Sequence, residues 1–328
     1  MNKSKLLLLV AAMLPVACGL TACNQAEEKS IGILQFGDFD ALNKAREGFI
    51  DGLKKGGFGD YKIDYKNANA DSPTNSTMAK GLASKNHALN LGIATPSATA
   101  LKAALDNVGK DTPLLFTATT DPVDAGLLTN VNAPEGFVTG TSDLQPAEAM
   151  NEQIKLVKKM IPDAKKLGIF YCSSESNSQV QANAAKPIAE AEGLEVVIRT
   201  CVDQQSIKNE VAILANDVDA IWIPTDNTIA NSIGKIREAL TNKKVLLISG
   251  EEGMLSGMHV SVSITYYDLG LKTAELACEI LNGKAINEIP VFYPTIDTCV
   301  HVYSEKNLTE DGFKVEDLPS EFTWRNID

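Results

Sequence analysis

Leu91-Gly92-Ile93-Ala94-Thr95-Pro96-Ser97-Ala98-Thr99-Ala100 is the stretch that decides the fold. An apolar run stops at Thr95-Pro96-Ser97, and a helix of small residues starts at once. Thr95 suits an N-cap and Pro96 the first helical position. The spacing predicts backbone N–H groups at Ser97 and Ala98 without helical partners, beside the hydroxyls of Thr95, Ser97 and Thr99. A helix start at the carboxyl end of a strand is where open α/β sheets hold small anions. Residues 220–231, Ala-Ile-Trp-Ile-Pro-Thr-Asp-Asn-Thr-Ile-Ala-Asn, repeat the pattern of strand, Pro-Thr and polar helix start. Two similar lobes facing each other, with a ligand between such strand ends, are the arrangement this implies.

Working outward, apolar runs at 31–35, 61–65, 89–94, 114–117 and 138–139 alternate with helical periodicity. In the first helix Leu42, Ala45, Phe49 and Leu53 share one face, and Gly56-Gly57 ends it. Asp40 is placed to cap that helix. The second half restarts with strands at 166–171, 195–201, 220–223 and 245–249 and helices at 178–192, 206–215 and 227–242. Alternation of this kind means parallel sheets, here two doubly wound lobes of an α/β protein. Ile31-Gly32-Ile33 and Gly56 parallel Leu167-Gly168-Ile169 and Gly193, half a chain apart, so the lobes read as a duplication. A strand at 260–264, a helix at 268–282 and the segment 291–303 read as crossings that knit the lobes into a multi-strand hinge. The tail after Lys306 reads as irregular. The expected division is 30–141 plus 266–288 for the first lobe and 142–265 plus 289–328 for the second.

The 328 residues, 44% of them hydrophobic, suit two lobes of ordinary size. A net charge of −12 argues against nucleic acid as a partner. Lys3 and Lys5 precede an apolar run at 6–15 that is too short to span a bilayer, so residues 1–22 read as a secretory signal peptide. Leu20-Thr21-Ala22-Cys23 resembles the lipobox of bacterial lipoproteins, which makes the Cys23 thiol the site of lipid attachment. Residues 23–29 are then a lipid-anchor tether, and the protein is expected outside the cytoplasm on a cell membrane.

Every polar cluster follows a strand: 36–40, 95–99 and 119–121 in the first lobe, 173–177, 225–228 and 251–252 in the second. If the lobes face each other there, the clusters line one cleft. The candidate ligand contacts are Phe36, Phe39, Thr95, Ser97, Ala98, Thr119, Asp121, Ser174, Asn177, Asp226 and Glu251. Thr95, Ser97 and the helix start behind them suit a carboxylate. Asp226 suits an ammonium or else caps the following helix; Asp121 and Glu251 are alternatives for the ammonium. Phe36 and Phe39 sit in a turn where an apolar or aromatic ligand group can pack. Trp222 reads as core. His87, His259 and His301 are scattered with no metal spacing, and no phosphate loop or nucleophile elbow is present.

Once the leader is removed, Cys172, Cys201, Cys278 and Cys299 remain. Cys172 and Cys201 end strands expected to be parallel neighbours, about 4.8 Å apart. A disulfide needs Cα atoms roughly 4.4–6.8 Å apart, so a Cys172–Cys201 bridge is expected, with Cys278 and Cys299 free.

These residues resemble the ABC-transporter substrate-binding lipoproteins of the type I periplasmic-binding fold, most closely the group associated with tryptophan and tyrosine uptake. The resemblance rests on 31–35 with Ala45-Arg46-Glu47-Gly48-Phe49, and on 93–98, 116–126, 138–143, 224–227, 251–254 and 266–270. Where the family usually carries Glu-His-Pro-Ala-Leu-Asp, this chain has Asp38-Phe39-Asp40-Ala41-Leu42-Asn43. The resemblance implies a monomer without cofactor, metal or catalysis. It would close on a small molecule, an L-amino acid with an aromatic side chain, and deliver it to a membrane permease. A ligand sensor of the same fold, handing its signal to a receptor or kinase, is the alternative.

Overall fold

The computed structural model describes residues 29–241 and 243–328; the expected signal peptide, Cys23 and residues 24–28 of the tether lie outside them. The first half builds β1 (Ser30–Gln35), α1 (Asp40–Lys55), β2 (Lys62–Asn67), α2 (Ser72–Ala83), β3 (Leu89–Ile93), α3 (Thr95–Val108), β4 (Leu114–Thr117) and β5 (Val138–Gly140). The second builds α4 (Ala147–Met160), β6 (Lys166–Cys172), α5 (Ser176–Ala191), β7 (Glu195–Cys201), α6 (Ile207–Leu214), β8 (Ala220–Ile223), α7 (Asn227–Ala230), α8 (Gly234–Ala239), β9 (Leu246–Ser249) and β10 (Val260–Ser263). Then follow α9 (Tyr266–Leu281), β11 (Val300–Tyr303), α10 (Glu305–Glu310) and β12 (Trp324–Asn326).

The first sheet runs β2-β1-β3-β4-β5, all parallel, and the second β12-β11-β10-β9-β8-β6-β7. Read from β7 to β10, the second sheet repeats the order of the first, so the duplication inferred from half-chain similarity is present in the topology. Both faces of each sheet are covered: β3, β4, β8 and β9 are buried along their whole length. That is why these strands read as continuous apolar runs. Trp222 lies fully buried in the second core and donates from Nε1 to Gln153 Oε1 at 2.6 Å. β11 pairs antiparallel with β10, and β12 parallel with β11, so these last two strands run against the rest of the sheet. The tail that reads as irregular therefore closes an edge of the sheet. Helix α4, which the reading from sequence left unassigned, packs its apolar face on that sheet. The single helix expected at 227–242 is broken into α7 and α8.

Three segments cross between the lobes: 141–146, 264–265 and 293–299. After the second, α9 returns to the first lobe and packs on α1. The two backbones nearly touch: a Cβ on Gly48 would lie 2.1 Å from Tyr267 O, and one on Gly270 2.1 Å from Ala45 O. Only glycine fits at either point. The third crossing begins later than the sequence suggested. Val291 donates to Val131 O and Phe292 to Gly140 O, while Ser142 donates to Phe292 O. Residues 291–292 thus extend the edge of the first sheet, because β5 has no other neighbour on that side.

Candidate ligand-binding cleft

The carboxyl ends of the two sheets face each other, and the strand exits of both lobes meet along one seam. The exits differ from the expectation in detail. At the end of β3 the N-cap is Ala94, not Thr95, and its φ is +76°. That left-handed turn aims the Ala94 carbonyl into the first helical turn, where Ser97 N and Ala98 N both donate to it at 3.1 Å. The two amides expected to be free are therefore taken. Ser97 Oγ donates to Asn75 Oδ1, and Ala98 is core, packed under Gly92. At the start of α1 the N-cap is Phe39, and Asp40 opens the helix without capping it.

Asp226 is also placed differently from its expected ligand role. It is fully buried, and its two oxygens accept from Cys172 N at 2.7 Å and Ile229 N at 2.9 Å. It caps α7, the other reading the sequence allowed. Burial holds its carboxyl well above the usual range, and the nearby charge of Glu175 adds to this. Glu175 caps the same helix from outside, accepting from Asn227 and Thr228 through both backbone and side chain. Asp121 closes a local turn on Val123 N and Asp124 N.

The group that does converge at the seam is Asp143, Glu251 and Tyr266. Asp143 sits on the first crossing, held by Ser142, whose hydroxyl donates to Thr120 O and accepts from Leu144 N. Glu251 leaves β9, its N–H bonded to Ser249 Oγ. Tyr266 is the first residue of α9, which Thr265 caps by accepting from Asp268 N. Tyr266 Oη lies 2.9 Å from Asp143 Oδ2 and 2.7 Å from Glu251 Oε2. All three residues are at most 2% exposed. Burial pushes the Glu251 carboxyl up to about 8, with the charges of Asp143, Glu175 and Glu252 adding and the Tyr266 hydrogen bond opposing. Burial raises Asp143 as well, against the pull of Thr120 and Tyr266.

On the strand exits and the first crossing, as on His87 and Asn90 of the first lobe, lie polar atoms with no partner. Thr119 Oγ1, Gln145 Oε1, Thr225 Oγ1 and Glu251 Oε1 are buried and unbonded. Native interiors rarely leave such groups bare, and each costs roughly 1–3 kcal/mol. Gln181 bridges the lobes, with Nε2 3.4 Å from Thr120 Oγ1 and Oε1 3.4 Å from Thr225 N. Two voids open from the seam toward solvent. One of about 450 Å³ is lined by Phe36, Pro96, Ser174, Glu175 and Thr228 among others. The other, about 320 Å³, is lined by Thr95, Thr99, Ser174 and Asn177 among others. Phe39 packs against the cores of both lobes. Among the described residues, the unbonded atoms line neither these two voids nor the two that flank α9, and no group of His, Cys, Asp or Glu is placed to hold a metal ion.

Of the residues grouped at the seam, the sequence names Thr119 and Glu251 as candidates and does not single out Asp143, Tyr266, Gln145 or Gln181. The signal for the first two was present: Asp143 and Tyr266 each follow a strand, β5 and β10, but those exits read as hinge. Cys172 and Cys201 are register partners in β6 and β7, as expected, yet the bridge is not formed and all four cysteines are free. The thiols meet through hydrogen bonds instead. Cys201 lowers Cys172 to about 6, and Cys172 Sγ also lies 3.2 Å from Ser174 Oγ.

The model of the family described as ABC transporter substrate binding protein matches residues 30–310. A tyrosine-binding protein of Clostridioides difficile (strain R20291) is 35% identical over 326 residues, which is 94% of this chain and 92% of that protein. The ABC domain in complex with L-Trp from Streptococcus pneumonia is 34% identical with a TM-score of 0.82, over 90% of this chain and 99% of that one. The ligand-free, open structure of a Clostridium difficile substrate-binding protein with adhesive properties is also 34% identical, over 92% and 100%, but its TM-score is 0.68. At equal identity, the lobes described here stand closer to the ligand-bound relative, in keeping with the Tyr266–Glu251 and Gln181–Thr120 contacts across the seam. The chain belongs to the ABC transporter substrate-binding protein family.

Proposed function

We propose that this protein captures an L-amino acid with an aromatic side chain between its two lobes and hands it to a membrane permease, without chemical change. The supporting observation is the set of unbonded polar atoms sealed at the seam beside two carboxyls. A zwitterion satisfies such a set. Its ammonium fits Glu251 and Asp143, and its carboxylate fits the hydroxyls of Thr119 and Thr225. Phe36 and Phe39 offer the apolar wall for its side chain. Two relatives, a tyrosine-binding protein and a protein in complex with L-Trp, point the same way. The lobes hinge about the three crossings, and contacts made on both favour the closed form.

Calorimetry against the common amino acids, sugars and purines tests the ligand class. Tyrosine or tryptophan should bind tightly, and Glu251→Ala should weaken binding at least tenfold, since losing one partner of a buried charged hydrogen bond costs about 2–5 kcal/mol. Tight binding of a sugar with no amino acid bound would reject this reading. We also propose that acylated Cys23 anchors the chain. Cys23→Ala should then move the protein out of the membrane fraction, and retention there would place the anchor elsewhere.

A further inference from the structure

Tyr266 Oη stands at hydrogen-bond distance from two carboxyl oxygens at once, Asp143 Oδ2 and Glu251 Oε2. A phenol has one proton to donate. Two O–H···O bonds at that oxygen therefore need a second proton, and only a carboxyl can bring it. Asp143 is the acceptor of the pair. Its Oδ1 already accepts from Thr120 Oγ1 at 2.8 Å, and Thr120 accepts in turn from the Gln181 amide. Donors thus run from Gln181 through Thr120 to Asp143, and Tyr266 donates to Asp143 from the other side. Glu251 is left as the donor to Tyr266, with its second oxygen unbonded.

Among the described residues, the groups that act on Glu251 include no base. The charged and titratable groups that act on Glu251 are Asp143 on the first crossing, Glu175 at the exit of β6, its neighbour Glu252 and Tyr266 on α9. The first three are acids. Glu252 has its own partner in Arg325 at 2.8 Å. Two buried carboxylates this close repel strongly unless one holds a proton. A cation entering beside the unbonded oxygen of Glu251 does the same work as that proton.

We propose that Asp143, Tyr266 and Glu251 share one proton when the lobes stand closed without ligand, and that the ammonium of the ligand takes its place, so that capture releases one proton to solvent. The charge balances: one proton leaves as one ammonium enters, and the tyrosine stays neutral. The proposal rests on the reading of the ligand as an amine. Burial, which raises the Glu251 carboxyl to about 8, favours the same proton.

Titration calorimetry with L-tryptophan and L-tyrosine, run in phosphate and in Tris at pH 6.5 and pH 8.5, tests it. The two buffers take up protons with different heats, so the difference in apparent enthalpy counts the protons released. The expected result is about one proton at pH 6.5 and markedly less at pH 8.5, with affinity rising up to roughly tenfold per pH unit below the titration point. Glu251→Gln keeps the shape without the exchangeable proton; it should release none and bind with an affinity flat between pH 6 and 8. Buffer-independent heats in the parent protein, with binding intact, would overturn the exchange and leave the ligand reading standing. Proton release that persists in a folded Glu251→Gln variant would overturn it too. No heat with either amino acid would instead remove the ligand reading itself. Should the variant not fold, the buffer dependence of the parent protein still decides.

Discussion

The two lobes share one strand order and solve the edge of the cleft in opposite ways. In the first lobe the exits of β2, β3 and β4 turn through left-handed residues that are not glycine: Asn69 and Ala70, Ala94, and Ala118. Such turns strain an alanine backbone. In the second lobe no described non-glycine residue has a positive φ. Its exits are held by buried carboxylates, Asp226 and Glu175, bonded to the amides that start α7. One lobe stores strain in its backbone; the other buries titratable acids in its interior. Of the buried acids on the second lobe's edge, only Glu251 has an oxygen without a partner, and it is the one that reaches across to Tyr266.

Buried acids and backbone strain respond to different perturbations. The largest expected effect is of pH. Glu251, Asp143 and Asp226 all have carboxyls raised in the folded state. As pH rises, the unfolded chain gives up these protons first, near pH 4. The stability they confer is complete below that pH and is lost as pH climbs through the folded value, about 8 for Glu251. The ligand-free protein should therefore lose on the order of 3 kcal/mol between pH 5 and pH 8 from this cause. Saturating ligand should flatten the loss. Melts that are level or rise over that range in the ligand-free protein would mean the acids are not held protonated.

A mid-sized effect separates the two kinds of acid. Asp226→Ala leaves Cys172 N and Ile229 N bare, and should cost about 2 kcal/mol of stability while changing affinity less than threefold. Denaturant titration and calorimetry on the same sample check both halves. A large loss of affinity at unchanged stability would return Asp226 to the ligand. The smallest effect concerns strain. Ala118→Gly relieves the left-handed turn but loses a buried methyl and gains chain entropy, so the terms nearly cancel and the change should stay within about 0.5 kcal/mol. Ala98→Gly, buried in regular helix, has no strain to relieve and should cost more than about 1 kcal/mol. Equal losses at the two positions would show that the turn at Ala118 is not strained.

The fold was legible because buried parallel strands announce themselves as apolar runs, and β3 and β8 end in the same Pro-containing helix start. The site was legible only as a rule, that polar residues after strands line the cleft. It failed where one residue type serves two ends. Asp226 looks the same from sequence whether it caps a helix or meets an ammonium, and the difference lies in Cys172, 54 positions away. Asp143 and Tyr266 are 123 positions apart and meet only because α9 returns to the first lobe. The turn at Ala94 was hidden for another reason. Alanine is not a turn residue, so nothing local marks the left-handed φ that the packing of Ala98 against Gly92 accompanies.

The return of α9 also fixes when this protein can fold. The first lobe begins at Ser30, yet the face of α1 marked by Gly48 stays bare until residues 266–281 exist, and the edge of β5 stays open until Phe292 arrives. Its decisive contacts span more than two hundred positions of sequence, and closing such loops is slow. Neither lobe is one uninterrupted piece of chain that a ribosome could release and let collapse on its own. The growing chain holds no finished lobe until nearly all of it has been made.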